Sequence, residues 1–336
     1  MTPIDRSKRQ SVNVGIVGAT GAVGREILAC LKSEKFPFNN IFLFASSKSV
    51  SESVEEFSVN AVVVKDIKIV FLAVNSEFSI EFAPQLAQKK IHVIDNSCAF
   101  RNKPEIPLIV PELNPEVIIE TKHGGGGIIA NPNCTTAILA MALFPLHKKF
   151  HLKKLICSTY QAASGAGDPG MQELLSALKS RVEGREFSPS VFTPHDISCN
   201  VIPSIDAANL SSHEYTREEL KMVFETRKIF DSYDIDISCT AVRVPTMRAH
   251  CVSASAEFAS PISVEEVVNI LRSAPGVVLT DIPTPENASN LSEILVGRIR
   301  QSLVFKNKGI DMFVAGDQLL RGAALNAVRI AFLLID

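Results

Sequence analysis

The chain is 336 residues long, 46% apolar and 21% charged, with a formal net charge of −2 and no tryptophan. That length suffices for two domains, and the composition excludes a disordered or fibrous class. The near-neutral charge gives no reason to expect nucleic acid or a membrane surface as partner, and no apolar run reaches the roughly 20 residues of a bilayer span.

Read from its start, Met1 to Gln10 is polar and lacks the apolar core of a signal peptide, so a cytoplasmic protein is expected. Val12–Val17 reads as a strand, followed by glycines and a helical pattern over Gly24–Leu31. Further strands are predicted at Ile41–Ala45, Ile69–Ala73 and Ile91–Asp95, with helical spacing over Phe78–Gln88. Strands alternating with helices predict an α/β fold with a parallel sheet. The loop Gly18-Ala19-Thr20-Gly21-Ala22-Val23-Gly24 has GxxGxxG spacing, a weak signal alone. A strand before it and a helix after it strengthen it as a dinucleotide cradle, with a plain strand–helix turn as the ordinary alternative. Ser46, Ser47 and Lys48 end the second strand with no acid to bind a ribose 2′-hydroxyl. They suit a 2′-phosphate, so NADP is expected, against the alternative of a solvated polar loop. Asp95-Asn96-Ser97 and Arg101 follow a parallel strand, at the edge where open α/β sheets bind ligands.

The run Gly124–Gly127 reads as a flexible join near a domain boundary. Beyond it, Ile128–Ala130 is strand-like, and Asn131-Pro132-Asn133-Cys134-Thr135-Thr136 leads into the apolar helical run Ala137–Leu146. Cys134 therefore sits at a helix N-terminus, where unpaired N–H groups and the dipole favour a thiolate. The seven cysteines form no CxxC, and the other six neighbour apolar residues, so they read as buried hydrophobes and no metal is expected. Strand-like runs at Leu155–Gln161, Ile237–Val244 and His250–Phe258, with helices at Met171–Glu183 and Arg217–Phe230, predict an α+β second domain. Tyr160–Gly167 is a small-residue loop that lets backbone approach a ligand, although hinge or packing roles are equally common. His250 with Arg243 and Arg248 could join a proton carrier to an anion site, but a histidine there is more often structural. His123, His147, His151, His195 and His213 lie in polar, solvent-facing context. Gly322–Leu334 is a strongly apolar helix that could return to the first domain, giving residues 1–130 with 315–336, and 131–314.

Ten ordered motifs together resemble the aspartate-semialdehyde dehydrogenase family across nearly the whole chain. They are GIVGATGAVG (Gly15–Gly24), ASSKS (Ala45–Ser49), VIDNSCAFR (Val93–Arg101), VPELN (Val110–Asn114) and ANPNCTT (Ala130–Thr136), then STYQAASGAG (Ser158–Gly167), NVIPSID (Asn200–Asp206), EELKM (Glu218–Met222), RVPTMRAH (Arg243–His250) and RGAALNAV (Arg321–Val328). The resemblance implies a Rossmann-type NADP-binding domain completed by the C-terminal helix, an α+β catalytic and dimerisation domain, and a homodimer or tetramer. It places the nucleophile on Cys134 and the acid/base on His250. Gln161 falls on the glutamine near the thiol, Arg243 on the binder of the substrate α-carboxylate, and Glu218 on a contact to its amine. Lys221 and Arg101, with Asn102 beside them, fall on the phosphate site. The cofactor set is Gly18, Thr20, Gly21, Ala22, Val23, Gly24, Ser46, Ser47, Lys48, Ser76, Ser164, Gly165 and Gln318. The implied chemistry is attack of Cys134 on aspartate 4-semialdehyde with His250 taking the proton, hydride transfer to NADP, and release of the thioester by phosphate as 4-phospho-aspartate. Biosynthesis runs it in reverse, towards lysine and diaminopimelate, methionine and threonine.

The chain departs from the family pattern only around the cofactor. Ala73-Val74-Asn75-Ser76 stands for Ala-Gly-Gly-Ser, Asp317-Gln318 for Asp-Asn, and Lys48 and Ser51 for a frequent arginine and a usual glycine. Rival readings are an N-acetyl-glutamyl-phosphate reductase, which carries a Gly-Cys-Tyr-Pro-Thr type motif, a malonyl-CoA reductase, and a catalytically silent NADP-binding paralogue. A short-chain reductase or epimerase needs a tyrosine followed four residues on by lysine, and Tyr160, Tyr215 and Tyr233 have none.

Overall fold

The structure, a computed structural model, describes residues 10–207 and 214–335; His213 lies outside them. The chain divides into two compact units, Met1–Pro132 with Ala323–Asp336, and Asn133–Gly322.

The first unit is built on a sheet in the order β3-β2-β1-β4-β5-β6, every pair parallel. Its strands are β1 (Val12–Val17), β2 (Phe38–Ala45), β3 (Glu55–Glu56), β4 (Ile67–Leu72), β5 (His92–Asp95) and β6 (Gly127–Ala130). Helices α1 (Ala22–Ser33), α2 (Val59–Val64), α3 (Ser76–Gln88) and α4 (Ile119–His123) connect them. β4 is apolar at nearly every position and buried from Ile69 to Leu72, as a parallel strand covered on both faces must be. Phe57 and Phe78 pack against this sheet, and Phe82 packs on both, edge-on or tilted at 4.5 to 5.2 Å between rings. The glycine run does not end the unit: a Cβ at Gly126 would lie 2.5 Å from the Lys90 backbone, and β6 pairs beyond it as the sixth strand. The last helix, α10 (Leu325–Leu334), belongs here. Its buried Asn326 donates to Asn131 Oδ1 at 2.6 Å and to the Ile109 carbonyl at 2.9 Å.

The second unit carries a mixed sheet in the order β10-β11-β12-β9-β7-β8. The strands are β7 (Leu152–Gln161), β8 (Asp236–Arg243), β9 (His250–Phe258), β10 (Val277–Leu279), β11 (Ile294–Gln301) and β12 (Gly309–Gly316). Ala315 and Gly316 pair with Cys251 and His250, so the chain leaves this unit at Gly322 and not at 314. Helix α5 (Cys134–Phe150) is apolar all round and buried over Ala137–Phe144, the expected state of such a stretch, and turns polar in its last turn. The unit's other helices are α6 (Gly167–Val182), α7 (Arg217–Phe230), α8 (Val264–Ser273) and α9 (Pro285–Ala288), of which α7 and α8 pack on α5. β7 alternates, with Leu155, Cys157, Thr159 and Gln161 buried and Ile156 and Tyr160 exposed.

Two of the six cysteines read as buried are exposed: Cys98, in the turn after β5, and Cys199, in a loop with φ of 54°. His147 is half-buried, its Nδ1 accepting the Leu152 N–H at 3.2 Å. Among the described residues no helix is long and apolar enough to cross a membrane, and no group of three side chains is placed to hold a metal.

Candidate active site

The glycine loop fits a dinucleotide phosphate. Gly18 has φ of 81°, and a Cβ there would lie 2.2 Å from the Ala73 carbonyl oxygen. A Cβ at Gly24 would lie 2.2 Å from the Gly18 carbonyl oxygen, so both glycines are enforced by close packing of strand and helix. Gly21 is the N-cap of α1 and offers no side-chain acceptor to the first-turn N–H groups. Thr20 and Gly21 are exposed, and Ala22 and Val23 open the helix behind them. This leaves N–H donors and the positive helix end for an anion. Ser46 precedes a short 3-10 turn, Ser47–Ser49, that holds Lys48 in solvent beyond β2. The departure at 74–75 has a structural reason. Asn75 caps α3, accepting the Phe78 N–H at 3.0 Å, and Val74 packs on the core, while Ser76 Oγ meets Cys98 Sγ at 3.2 Å.

Within the second unit, Cys134 is the first residue of α5, and Asn133 is its N-cap. Asn133 Oδ1 accepts from Thr135 N at 3.0 Å and Thr136 N at 3.1 Å. A Cβ at Gly322 would lie 2.5 Å from Cys134 Cβ, so glycine is required where a π-helical turn, Leu320–Ala324, crosses the nucleophile.

A polar network surrounds this turn. Glu218 Oε1 accepts from Asn133 Nδ2 at 2.9 Å and Gln161 Nε2 at 3.2 Å, and its Oε2 accepts from Lys221 Nζ at 3.0 Å. Burial raises the Glu218 pKa, but the Lys221 charge and these hydrogen bonds overrule it and hold the carboxyl at about 2. Lys221 also donates to Asp206 Oδ2 at 3.0 Å. Although burial works against its charge, the two carboxylates push its pKa up.

Arg243 is buried, donating from Nη1 to the Ala162 carbonyl at 2.7 Å, with its guanidinium 5.8 Å from the Phe192 ring centroid. Burial lowers its pKa, while Glu218 and Cys134 oppose that shift. A Cβ at Gly165 would stand 2.5 Å from Arg243 Nη1 and 3.1 Å from His250 Nε2, so the small-residue loop makes room for both.

His250 is fully buried. Its Nδ1 accepts the Ala162 N–H at 3.1 Å, which assigns the ring proton to Nε2, an atom with no partner among the described residues. Burial, then the Arg243 charge, lower its pKa to about 3, so the ring is neutral. In this tautomer the ring presents a donor, Nε2–H, on the side away from Ala162.

Gln318 lies beside Ser164, another residue of the expected cofactor set. Both ends of its buried amide are engaged within this unit, Oε1 accepting Ala249 N at 2.8 Å and Nε2 donating to Ser164 Oγ. It fastens the residue before His250, Ala249, which has φ of 70°, to the loop at Ser164. Arg101 and Asn102 belong to the first unit. Arg101 is buried and donates to the Asn96 carbonyl at 2.8 Å, whereas Asn102 is exposed.

Sequence reasoning assigned no role to Asn133, Glu225 or Gly322. An asparagine just before a helix-opening cysteine is a readable N-cap signal. Glu225, whose Oε2 accepts the Asn133 N–H at 2.5 Å, lies 92 positions away and gives no such signal.

Each of the two units matches a known domain family. The semialdehyde dehydrogenase NAD binding domain matches residues 13–121, and the semialdehyde dehydrogenase dimerisation domain matches residues 143–321. An aspartate-semialdehyde dehydrogenase of Synechocystis sp. is 39% identical over 97% of this chain and 98% of its own length. One of Aquifex aeolicus is 41% identical, over 96% and 97%. The solved structure of aspartate semialdehyde dehydrogenase II from Vibrio cholerae, complexed with ASA, superposes with a TM-score of 0.90 at 36% identity, covering 97% of this chain and 98% of that one. With these matches running through both units, the chain belongs to the aspartate-semialdehyde dehydrogenase family.

Proposed function

We propose that this enzyme reduces 4-phospho-L-aspartate to L-aspartate 4-semialdehyde through a thioester on Cys134, with NADPH as reductant. The observation that carries the reading is the convergence of Cys134, Gln161, Glu218, Arg243 and His250 within one unit. Asn133 and Gln161 both donate to Glu218, while Ala162 accepts from Arg243 and donates to His250.

The Cys134 thiolate, favoured at the N-terminus of α5, attacks the acyl carbon. The Nε2–H of neutral His250 donates to the oxygen that becomes negative, a fixed dipole in a water-poor site. Collapse of this intermediate breaks the C–O bond to phosphate and leaves the thioester. Gly18, Gly21, Gly24 and the first turn of α1, with Ser46, Ser47 and Lys48 at the 2′-phosphate, would hold NADPH, whose chemistry would be to supply a hydride to the thioester carbon. The resulting tetrahedral oxyanion expels the Cys134 thiolate and yields the aldehyde. The nucleophile enters and leaves as thiolate, and the single proton consumed overall ends on phosphate. Arg243 presents a planar fork to the α-carboxylate, and the Glu218 carboxylate attracts the α-ammonium. Lys221 and Arg101, with Asn102, are assigned to phosphate. Lys221 must then exchange part of its contact with Asp206 and Glu218 for the ligand. The exposed face of β7, with Ile156 and Tyr160, is assigned to a homodimer.

The test is phosphate-dependent reduction of NADP by aspartate semialdehyde. Cys134→Ala is expected to lower kcat by about 10⁴-fold or more. Undiminished turnover in that variant, or no turnover by the unaltered chain, would overturn the reading.

A further inference from the structure

The turn that presents Cys134 lacks a device that two other helices of the same chain possess. In α7 and α8 the N-cap's own N–H is met by a glutamate three residues on: Thr216 N by Glu219 Oε2 at 2.8 Å, and Ser263 N by Glu266 Oε2 at 3.2 Å. In α5 the equivalent position is Thr136, fully buried, with its hydroxyl 3.4 Å from Asn133 Oδ1 and 3.4 Å from Met222 Sδ. The N–H it leaves unmet belongs to Asn133, the residue before the nucleophile. Glu225 of α7 meets it, at 2.5 Å.

We propose that Glu225 is a positioning residue for the nucleophile, substituting a carboxylate from α7 for the missing local cap and so fixing where Cys134 stands. Glu225 is 1% exposed. With Glu218 and Met222 it forms a stripe at spacings of four and three residues, one face of α7. That stripe holds the turn at separate points: Glu218 at the Asn133 side-chain amide, Met222 at the Thr136 hydroxyl, Glu225 at the Asn133 backbone. Cys134 thereby takes its position from the packing of α7 on α5 as well as from its own helix. The carboxylate also faces the N-terminal end of α5, where it opposes a thiolate by like charge. The inference rests on Cys134 being the nucleophile, which Cys134→Ala tests separately.

The experiment compares Glu225→Gln, Glu225→Asp and Glu225→Leu in the full chain. Each is assayed for kcat, for KM of aldehyde and phosphate, and for the pH midpoint of Cys134 alkylation by iodoacetamide. Glu225→Leu removes the acceptor, and a nucleophile misplaced by about 1 Å loses about 10²-fold in kcat, with both KM values within about threefold. Glu225→Asp is expected to fall between Leu and the unaltered chain, since its shorter stem keeps the charge but not the reach. Glu225→Gln keeps an acceptor and removes the charge, so kcat stays within about threefold while the alkylation midpoint moves to lower pH. Unaltered kcat in the Leu and Asp variants, or a loss confined to KM, overturns the proposal. If the Leu variant does not fold, the Gln and Asp variants decide: an unmoved alkylation midpoint with unaltered kcat in both overturns it.

Discussion

At Glu218, burial and charge pull in opposite directions, and the outcome sets a pH dependence. The side chain is 6% exposed, yet its pKa is depressed from 4.5 to about 2, because Lys221, Asn133 and Gln161 stabilise the anion more than burial penalises it. The unfolded chain therefore takes up a proton near the ordinary value, while the folded chain resists until about pH 2. The stability this group contributes is fully present above the unfolded pKa and is lost as pH falls towards the folded one. A depression of this size corresponds to on the order of 3 kcal/mol. Urea unfolding of the unaltered chain and of Glu218→Gln is expected to show the widest gap at pH 7, narrowing steadily below about pH 4. A gap that stays constant to pH 3 would show that the carboxylate's charge is not what stabilises the fold. The residue scale is also where sequence was least sufficient. Cys134, Gln161, Arg243 and His250 are legible because each stands in a short motif. Their mutual arrangement is not, since the Asn133 amide finds Glu218 85 positions away and Glu225 92 away. Nor does the motif around His250 say which nitrogen is occupied. That depends on the N–H of Ala162, supplied by another strand's end.

Elements were legible where the hydrophobic pattern was strong. The predicted strands Val12–Val17, Ile69–Ala73 and Ile91–Asp95 correspond to β1, β4 and β5, whose buried positions are mostly apolar, as in strands covered on both faces. β11 was not read, because Arg298, Arg300 and Gln301 interrupt its apolar start, and β12 because Asp311 and a glycine at each end obscure it. Their order in the second sheet comes from antiparallel pairing of β12 with β9, a long-range contact, and of β11 with β12. The glycine loop separates two kinds of constraint that sequence alone merges. Gly24 is needed for packing, its Cβ position lying 2.2 Å from the Gly18 carbonyl oxygen, whereas at Gly21 the nearest atom would be 3.5 Å away and φ is −76°. Gly21→Ala is therefore expected to fold normally, with Tm within about 2 °C, yet to raise the KM for NADPH about tenfold by crowding the phosphate. Gly24→Ala is expected to lower Tm as well, since backbone must move to admit the methyl group. Thermal melts with and without NADP, set beside KM, check both. Equal KM for Gly21→Ala and the unaltered chain would mean that the loop's open side does not face the cofactor.

At the scale of the whole molecule, one face of the second sheet is covered by α9 around Leu295 and Ala315 but leaves part of β7 exposed. β7 places Leu155, Cys157 and Thr159 inward, while Ile156 is 53% and Tyr160 38% exposed on the other side. Tyr160 lies against Phe313 of β12, ring centroids 5.8 Å apart, so the apolar character extends across strands. Single exposed apolar residues need no explanation, but an aromatic pair beside an isoleucine on one sheet face suits a partner surface. The dimerisation-domain match covers residues 143–321, which include all of these. A second copy of the chain is the natural occupant, related by a two-fold axis that brings the same patch onto itself. Ile156→Asp tests this directly. Solvent already reaches the side chain in one copy, so the fold should tolerate the charge with a change of about 0.5 kcal/mol or less. In a dimer the same carboxylate would be buried against its own image, a like-charge pair out of water. Sedimentation at micromolar concentration is expected to show the unaltered chain as a dimer and Ile156→Asp as a monomer with unchanged circular dichroism. The strand that bears Ile156 ends at Gln161, so dissociation should also lower kcat, and raising the protein concentration should restore it. A variant that stays dimeric, or a monomer with full kcat at every dilution, would place either the interface or its link to the site elsewhere.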